Sequence, residues 1–169
     1  WIECLLEHAS RKEIGAVGCK LLFPDGRIQH AGITLGMAGG FVKKGVAGHP
    51  FKNFYNKPIN NGYARMVDSI RNVSAVTAAC LLVSRKKFDS VGGFNPFFRV
   101  AFNDVDFCLK LFKKEFYNLY TPLVCLNHWE SISVGKPGEG GRKIKEFLYE
   151  VLAMHKKWGK LLQNDPYYN

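Results

Sequence analysis

The stretch Phe102-Asn103-Asp104-Val105-Asp106-Phe107-Cys108-Leu109-Lys110 sets two carboxylates at the start of an amphipathic segment. Counting from Val105, apolar side chains recur at Cys108, Leu109, Phe112 and Phe116, the spacing of a helix that buries one face. Asn103 reads as its N-cap, with an amide oxygen for an orphan backbone N–H of the first turn, and Asp104 and Asp106 oppose the positive end of the helix dipole. At roughly 100° per residue the two carboxylates point about 200° apart, so at most one faces a given cleft. Asp104 is the better candidate. First-turn acids are also ordinary helix furniture, and spacing alone does not separate that reading from a catalytic one. The Asp-Val-Asp triplet is not read as a metal motif, because it opens a helix instead of ending an apolar strand.

Working outward, an apolar segment from Ala16 to Phe23 ends in the turn Pro24-Asp25-Gly26, and a second strand is expected over Ile28 to Leu35, closing a hairpin. A short helix is expected before it, Ile2 to Ser10. Residues 38 to 70 read as an irregular loop, either a surface excursion or a lid or acceptor-binding loop. Val73 to Ser84 is nearly continuously apolar and predicts a strand in the middle of the sheet. A short helix, Lys86 to Ser90, leads to Gly92-Gly93-Phe94, and a further strand is expected from Leu119 to Leu126. From Arg142 to Leu162 runs an amphipathic helix. Its apolar stripe carries Ile144, Phe147, Leu148, Val151, Leu152, His155, Trp158, Leu161 and Leu162, and its other face carries Arg142, Lys143, Lys145, Lys156, Lys157 and Lys160. That helix either packs on its own domain, lies on an anionic membrane surface or self-associates.

Several blocks together resemble a known family: Val17 to Gly26 with Ile28 to Gly32, Ser74 to Val83, Val91 to Phe94, Phe102 to Leu109, and Tyr120-Thr121-Pro122 followed by His128-Trp129-Glu130-Ser131. The chain resembles the C-terminal half of an inverting glycosyltransferase of family 2, the GT-A-fold enzymes that include rhamnosyl- and other O-antigen or cell-wall sugar transferases. The resemblance implies an α/β fold, a partial GT-A architecture with a mixed sheet flanked by helices and a long C-terminal amphipathic helix. Residues 1–135 would form the acceptor-side, catalytic-base part and residues 136–169 the basic helix. It makes Asp104 the general base, Asn103, Ala79, Cys80 and Asp106 residues of the substrate side, and His128 a metal ligand. It also implies a nucleoside-diphosphate sugar donor, a saccharide or lipid-linked acceptor and a divalent cation, Mn²⁺ or Mg²⁺. A bacterial cytoplasmic setting, with peripheral contact at the inner face of the membrane, goes with it. The family's nucleotide-binding half would precede Trp1, so the chain is expected to be part of a larger enzyme.

Three positions depart from the family pattern. Trp129 stands where many relatives carry a second histidine, Ala78-Ala79-Cys80 replaces Gly-Ala-Cys, and Glu115 occupies a position that is usually glycine. Glutamate there implies either a different helix end, at Asn118, or strain.

Composition bounds the rest. The chain has 169 residues, 47% of them hydrophobic and 14% aromatic, enough for a substantial core in one domain. Its longest apolar run, Ala75 to Val83, is far short of a membrane span. Cys4, Cys19, Cys80, Cys108 and Cys125 are widely spaced without a Cys-x-x-Cys pair, and are read as buried free thiols of a reducing compartment. The Asn72-Val73-Ser74 sequon is given no weight. A net charge of +10 raises nucleic acid as a partner. No motif supports it, and a diphosphate donor with a membrane-bound acceptor accounts for the charge. The competing non-enzymatic reading is an inactive module that binds carbohydrate or a partner through its aromatic residues.

Overall fold

The computed structural model describes residues 1–37, 45–57, 62–129 and 141–168. In chain order the elements are α1 (Ile2–Ala9), β1 (Ile14–Leu22), β2 (Ile28–His30), β3 (Thr34–Leu35), β4 (Ala47–Gly48), β5 (Arg71–Val73), β6 (Leu81–Val83), α2 (Arg85–Ser90), α3 (Asn103–Lys113), β7 (Tyr117–Asn127) and α4 (Gly141–Trp158). Within these residues the architecture is α/β, a mixed sheet flanked by helices, consistent with a partial GT-A-like fold.

β1 and β7 lie side by side in parallel as the centre of the sheet. β5 pairs antiparallel with the far side of β7, and β2 and β6 both pair antiparallel with the other side of β1. Side chains of β1 alternate across the sheet as a strand requires. Val17, Cys19 and Leu21 join Leu5 and Ala9 of α1 in one apolar cluster; Ala16 faces the larger cluster built with α3 and α4. Each face thus has its own helical cover.

The expected hairpin at Pro24–Gly26 is present, with Leu21 opposite His30. The second strand, however, breaks after His30. Gly32, at a φ of 92°, turns the chain, and Thr34–Leu35 pairs with β4 in a separate two-stranded ribbon. The described parts of residues 38–70 run over the surface at Asn53–Lys57 and Tyr63–Arg65 but are anchored by Val46, Phe51 and Val67, which are buried in the main core. Residues 38–44 and 58–61 lie outside the described residues.

The larger correction concerns Val73 to Ser84. It is not one central strand. β5 lies on the far side of β7 and β6 on the far side of β1, so the chain between them, Ser74 to Cys80, crosses one face of the sheet. A Cβ built on Gly18 would stand 2.6 Å from the Cβ of Val76, so the crossing needs the bare backbone of that glycine. Ser74, Ala75 and Val76 are buried by the crossing, which is why the run is apolar without being a strand.

The C-terminal helix ends at Trp158, earlier than expected, and a 3₁₀ turn follows at Leu161–Gln163. Its buried face is Val151, Met154 and Trp158, continued by Leu162, all part of the same core as α3. Ile144, Leu148 and Leu152 of the expected stripe are instead exposed. The side chains of Arg142 and Lys143 lie outside the described residues.

Candidate functional site

The chain enters α3 through Phe102, whose φ of 61° is left-handed. Phe102 is therefore the N-cap and Asn103 already the first helical residue, which corrects the capping role expected of Asn103. Its side-chain Nδ2 instead donates to the Phe98 carbonyl at 3.4 Å, tying the helix start to the preceding loop. A left-handed phenylalanine costs about 1–2 kcal/mol, and it is held in place by stacking on Phe147 of α4 at 5.6 Å.

Asp104 is half-buried and fixed from two directions. Its Oδ1 accepts from the Val105 amide at 2.9 Å and its Oδ2 from the Ala78 amide at 3.1 Å. A carboxylate has about four acceptor positions, so two remain for another group. The Ala78 contact is a product of the crossing segment, which carries exposed Ala78 and Ala79 and half-buried Cys80 up to the helix start. The Ala78 bond thereby ties the exposed end of the crossing segment to the start of α3, whereas Cys80 packs with Cys19 in the cluster on the α1 side of the sheet.

Asp106 is placed differently. Its side chain is 0% exposed and points to α4, where Oδ1 accepts from Lys157 Nζ at 2.6 Å and from the indole Nε1 of Trp158 at 2.8 Å. A carboxylate closed off in this way has no surface to offer a substrate, which corrects its place on the substrate side. Turning by about 200° between the two aspartates delivers one to the rim and the other to the core.

A third carboxylate, not anticipated from the sequence, completes the arrangement. Glu150 of α4 is 3% exposed and accepts three backbone N–H bonds, from Arg99 at 2.6 Å, Val100 at 2.9 Å and Ala101 at 2.7 Å. The loop that delivers Asp104 is wrapped around it. The available signal was its phase, since Glu150 sits three residues after Phe147 and four before Met154, on the inward side of a helix whose other charges are mostly basic.

Cys80 faces Cys19 one step beyond the register pair Gly18 and Leu81. The Cys19 thiol donates to the Cys80 sulfur, which pulls the Cys80 pKa down to about 7 against a smaller opposing effect of burial; Cys19, ionising second, is raised. Burial pushes the Cys108 thiol far up; its Sγ lies 3.8 Å from the Val76 carbonyl.

His128 follows β7, its backbone N–H donating to the Leu22 carbonyl at 2.9 Å. Its ring Nδ1 is buried without a hydrogen-bond partner among the described residues, as a ligand position can be. Among the described residues no group of three or more His, Cys, Asp or Glu side chains could hold a metal ion. A lone imidazole does not by itself make a cation site. Glu130 and Ser131, beyond Trp129, lie outside the described residues. A second histidine pair lies deeper: His30 Nδ1 is 2.9 Å from His49 Nδ1, and burial, then His49 and Arg71, hold the His30 pKa well below the usual histidine range.

With this geometry in place, comparison with known proteins adds the following. No family model matches the chain. It is 39% identical over its whole length to an uncharacterized protein, y4gI, of Sinorhizobium fredii, and 38% identical over its whole length to the O-antigen biosynthesis protein RfbC of Myxococcus xanthus. Over 80% of its length it is 31% identical to the N-acetylglucosaminyl-diphospho-decaprenol L-rhamnosyltransferase of Mycobacterium tuberculosis. The chain spans 18%, 12% and 44% of the lengths of these three relatives. The names of the second and third point to a glycosyltransferase-like family.

Proposed function

We propose that this chain is the acceptor-side part of an inverting glycosyltransferase in which Asp104 is the general base. The observation that carries the reading is the Asp104 carboxylate, oriented by the Ala78 and Val105 amides at an accessible rim with acceptor positions to spare. In the proposed step an acceptor hydroxyl attacks the anomeric carbon while its proton passes to Asp104. The bond from that carbon to the diphosphate oxygen breaks, and its electron pair leaves with the nucleoside diphosphate. The sugar's configuration inverts. The substrates of the reading are a nucleoside-diphosphate sugar and a saccharide or lipid-linked acceptor; two relatives' names support it in outline, one an O-antigen biosynthesis protein and the other a rhamnosyltransferase named for a lipid-diphosphate-linked N-acetylglucosamine. A divalent cation, Mn²⁺ or Mg²⁺, on the donor diphosphate belongs to the reading, and His128 is the one residue of this chain assigned to it.

No helix among the described residues is long and apolar enough to cross a membrane. Peripheral attachment at the cytoplasmic face is part of the proposal. It is supported by exposed Ile144, Leu148 and Leu152, one face of α4 at four-residue intervals, with exposed Lys145 and Lys156 beside them.

The test is donor turnover by the protein in its longest natural form, across a panel of nucleotide sugars with Mn²⁺ or Mg²⁺, with and without Asp104→Asn. Loss of about 10²- to 10⁴-fold in turnover with the fold intact is the expected result. Turnover that survives the substitution moves the base elsewhere, and no turnover with any donor leaves a carbohydrate-binding module.

A further inference from the structure

Between the loop that precedes α3 and the first turns of α4 lies a cleft of about 340 Å³, lined by Pro96, Phe97, Arg99, Glu146, Tyr149 and Glu150. Nothing in the Asp104 chemistry uses it. We propose that it binds a neutral saccharide ring, as a subsite for the part of a glycan that lies beyond the reacting hydroxyl. The role of that sugar as acceptor rests on the Asp104 reading; its binding does not.

The cleft walls carry the argument. Phe97 and Tyr149 are 53% and 65% exposed, two large aromatic surfaces left in water on either side of one cavity. Aromatic faces take the apolar C–H face of a pyranose, and a site of this size lies at the small end of ligand clefts, roughly 300–1,000 Å³. The polar groups are arranged for a neutral guest. Arg99 offers guanidinium donors and Glu146 carboxylate acceptors, and neither is engaged in a hydrogen bond or ion pair among the described residues. Glu150 already accepts from three backbone amides, which fix it in place as the floor. A phosphate would meet one cation and two carboxylates, whereas a polyol finds donors and acceptors at the rim and apolar walls between them.

Position completes it. Phe97 and Arg99 belong to the loop that ends at Asp104, and that loop is rigidly held by Glu150 and by the Asn103 bond to the Phe98 carbonyl. A sugar seated on Phe97 and Tyr149 is therefore fixed relative to the Asp104 rim.

The experiment is saturation-transfer NMR on the 169-residue chain with maltose, cellobiose, N,N′-diacetylchitobiose and methyl hexopyranosides, and with uridine monophosphate as the charged comparison. At least one neutral sugar is expected to bind, about tenfold more weakly to Tyr149→Ala and to Phe97→Ala, and unchanged with Asp104→Asn. Tyr149 stands on the exposed side of α4, so its variant keeps the fold, as circular dichroism would verify. No transfer to any neutral sugar, binding untouched by both aromatic substitutions, or a preference for uridine monophosphate each overturns the proposal. Sugar binding that persists where the longest form of the protein shows no transfer keeps the subsite and removes the transferase.

Discussion

The two sides of the first turn of α3 treat the same chemical group in opposite ways. Asp106 is enclosed, neutralised by Lys157 and bonded to Trp158, while Asp104, two residues earlier, is held by two backbone amides at the rim. The difference lies in what each partner leaves unspent. Asp106 has given its charge to an ion pair and serves as a joint between α3 and α4; Asp104 has given two acceptor positions to orientation and kept its charge. A rim carboxylate can be positioned this well because the core side of the same turn is so firmly fastened.

Stability measurements can break that comparison. Asp106→Ala leaves the Trp158 N–H without its acceptor and Lys157 without its partner. Removal of one member of a buried pair costs about 3–5 kcal/mol, and since Lys157 is partly exposed and can return to water, the lower end, about 3 kcal/mol, is expected in denaturant unfolding. Asp104→Asn, which keeps the shape and loses part of two hydrogen bonds, is expected to cost about 1 kcal/mol. Equal costs would mean that both aspartates are structural.

Glu150 sharpens the contrast from the other element. Glu150→Gln leaves one of the three loop amides facing an NH₂ group, a loss of about 2 kcal/mol that falls locally. Hydrogen exchange at Arg99, Val100 and Ala101 should accelerate while the amides of α1 stay as they were. Donor turnover should fall with it, because the loop that delivers Asp104 is held less firmly to α4.

Two cysteines that meet the crossing segment, Cys80 at its end and Cys108 of α3 beneath Val76, give a chemical version of the same test. The thiolate is the reactive form, so Cys80, with its pKa near 7, should be alkylated by iodoacetamide at a rate that rises through neutral pH. Cys108, buried and raised, should stay unmodified until the protein unfolds. Cys19→Ala removes the donated hydrogen bond and should move the Cys80 inflection up, toward an ordinary thiol; peptide mapping separates these sites from Cys4 and Cys125. A Cys80 inflection that ignores the substitution would mean that the two sulfurs do not share a proton.

How much of this the sequence disclosed depends on the range of the contacts. α1, β1 with its turn, α2, α3, β7 and α4 were legible, because each follows from periodicity or turn chemistry within a few residues. Ala75 to Val83 misled, because a continuous apolar run looks the same in a central strand and in a segment buried by crossing a sheet. Gly18 held the missing information, as a strand glycine with the side chain of Val76 lying directly on it. The pairing of Asp104 with the Ala78 amide spans 26 residues and was not legible; the family resemblance named only Asp104 and the nearby Ala79 and Cys80, without the bond. The bond from Glu150 to Arg99 spans 51 residues, and composition says nothing of it.

The far end of α3 offers the smallest effect and an internal control. The helix closes with Glu115 donating its N–H to the Phe112 carbonyl at 2.9 Å and Phe116 to the Leu111 carbonyl at 3.1 Å, a Schellman closure whose left-handed residue is Glu115, at a φ of 63°. Of the two outcomes foreseen for this departure, strain is the one realised. Glycine would remove a left-handed penalty of about 1–2 kcal/mol and lose part of that gain to the entropy of the unfolded chain. Glu115→Gly should therefore stabilise the protein by about 1 kcal/mol, a rise of about 2–4 °C in Tm for a chain of this size, while Glu115→Ala gains nothing. Because the change lies at the opposite end of the helix from Asp104, the Cys80 alkylation profile should not move. If it did, the two ends of α3 would be mechanically coupled, and the firmness of the Asp104 turn would depend on the whole helix as well as on its joints to α4.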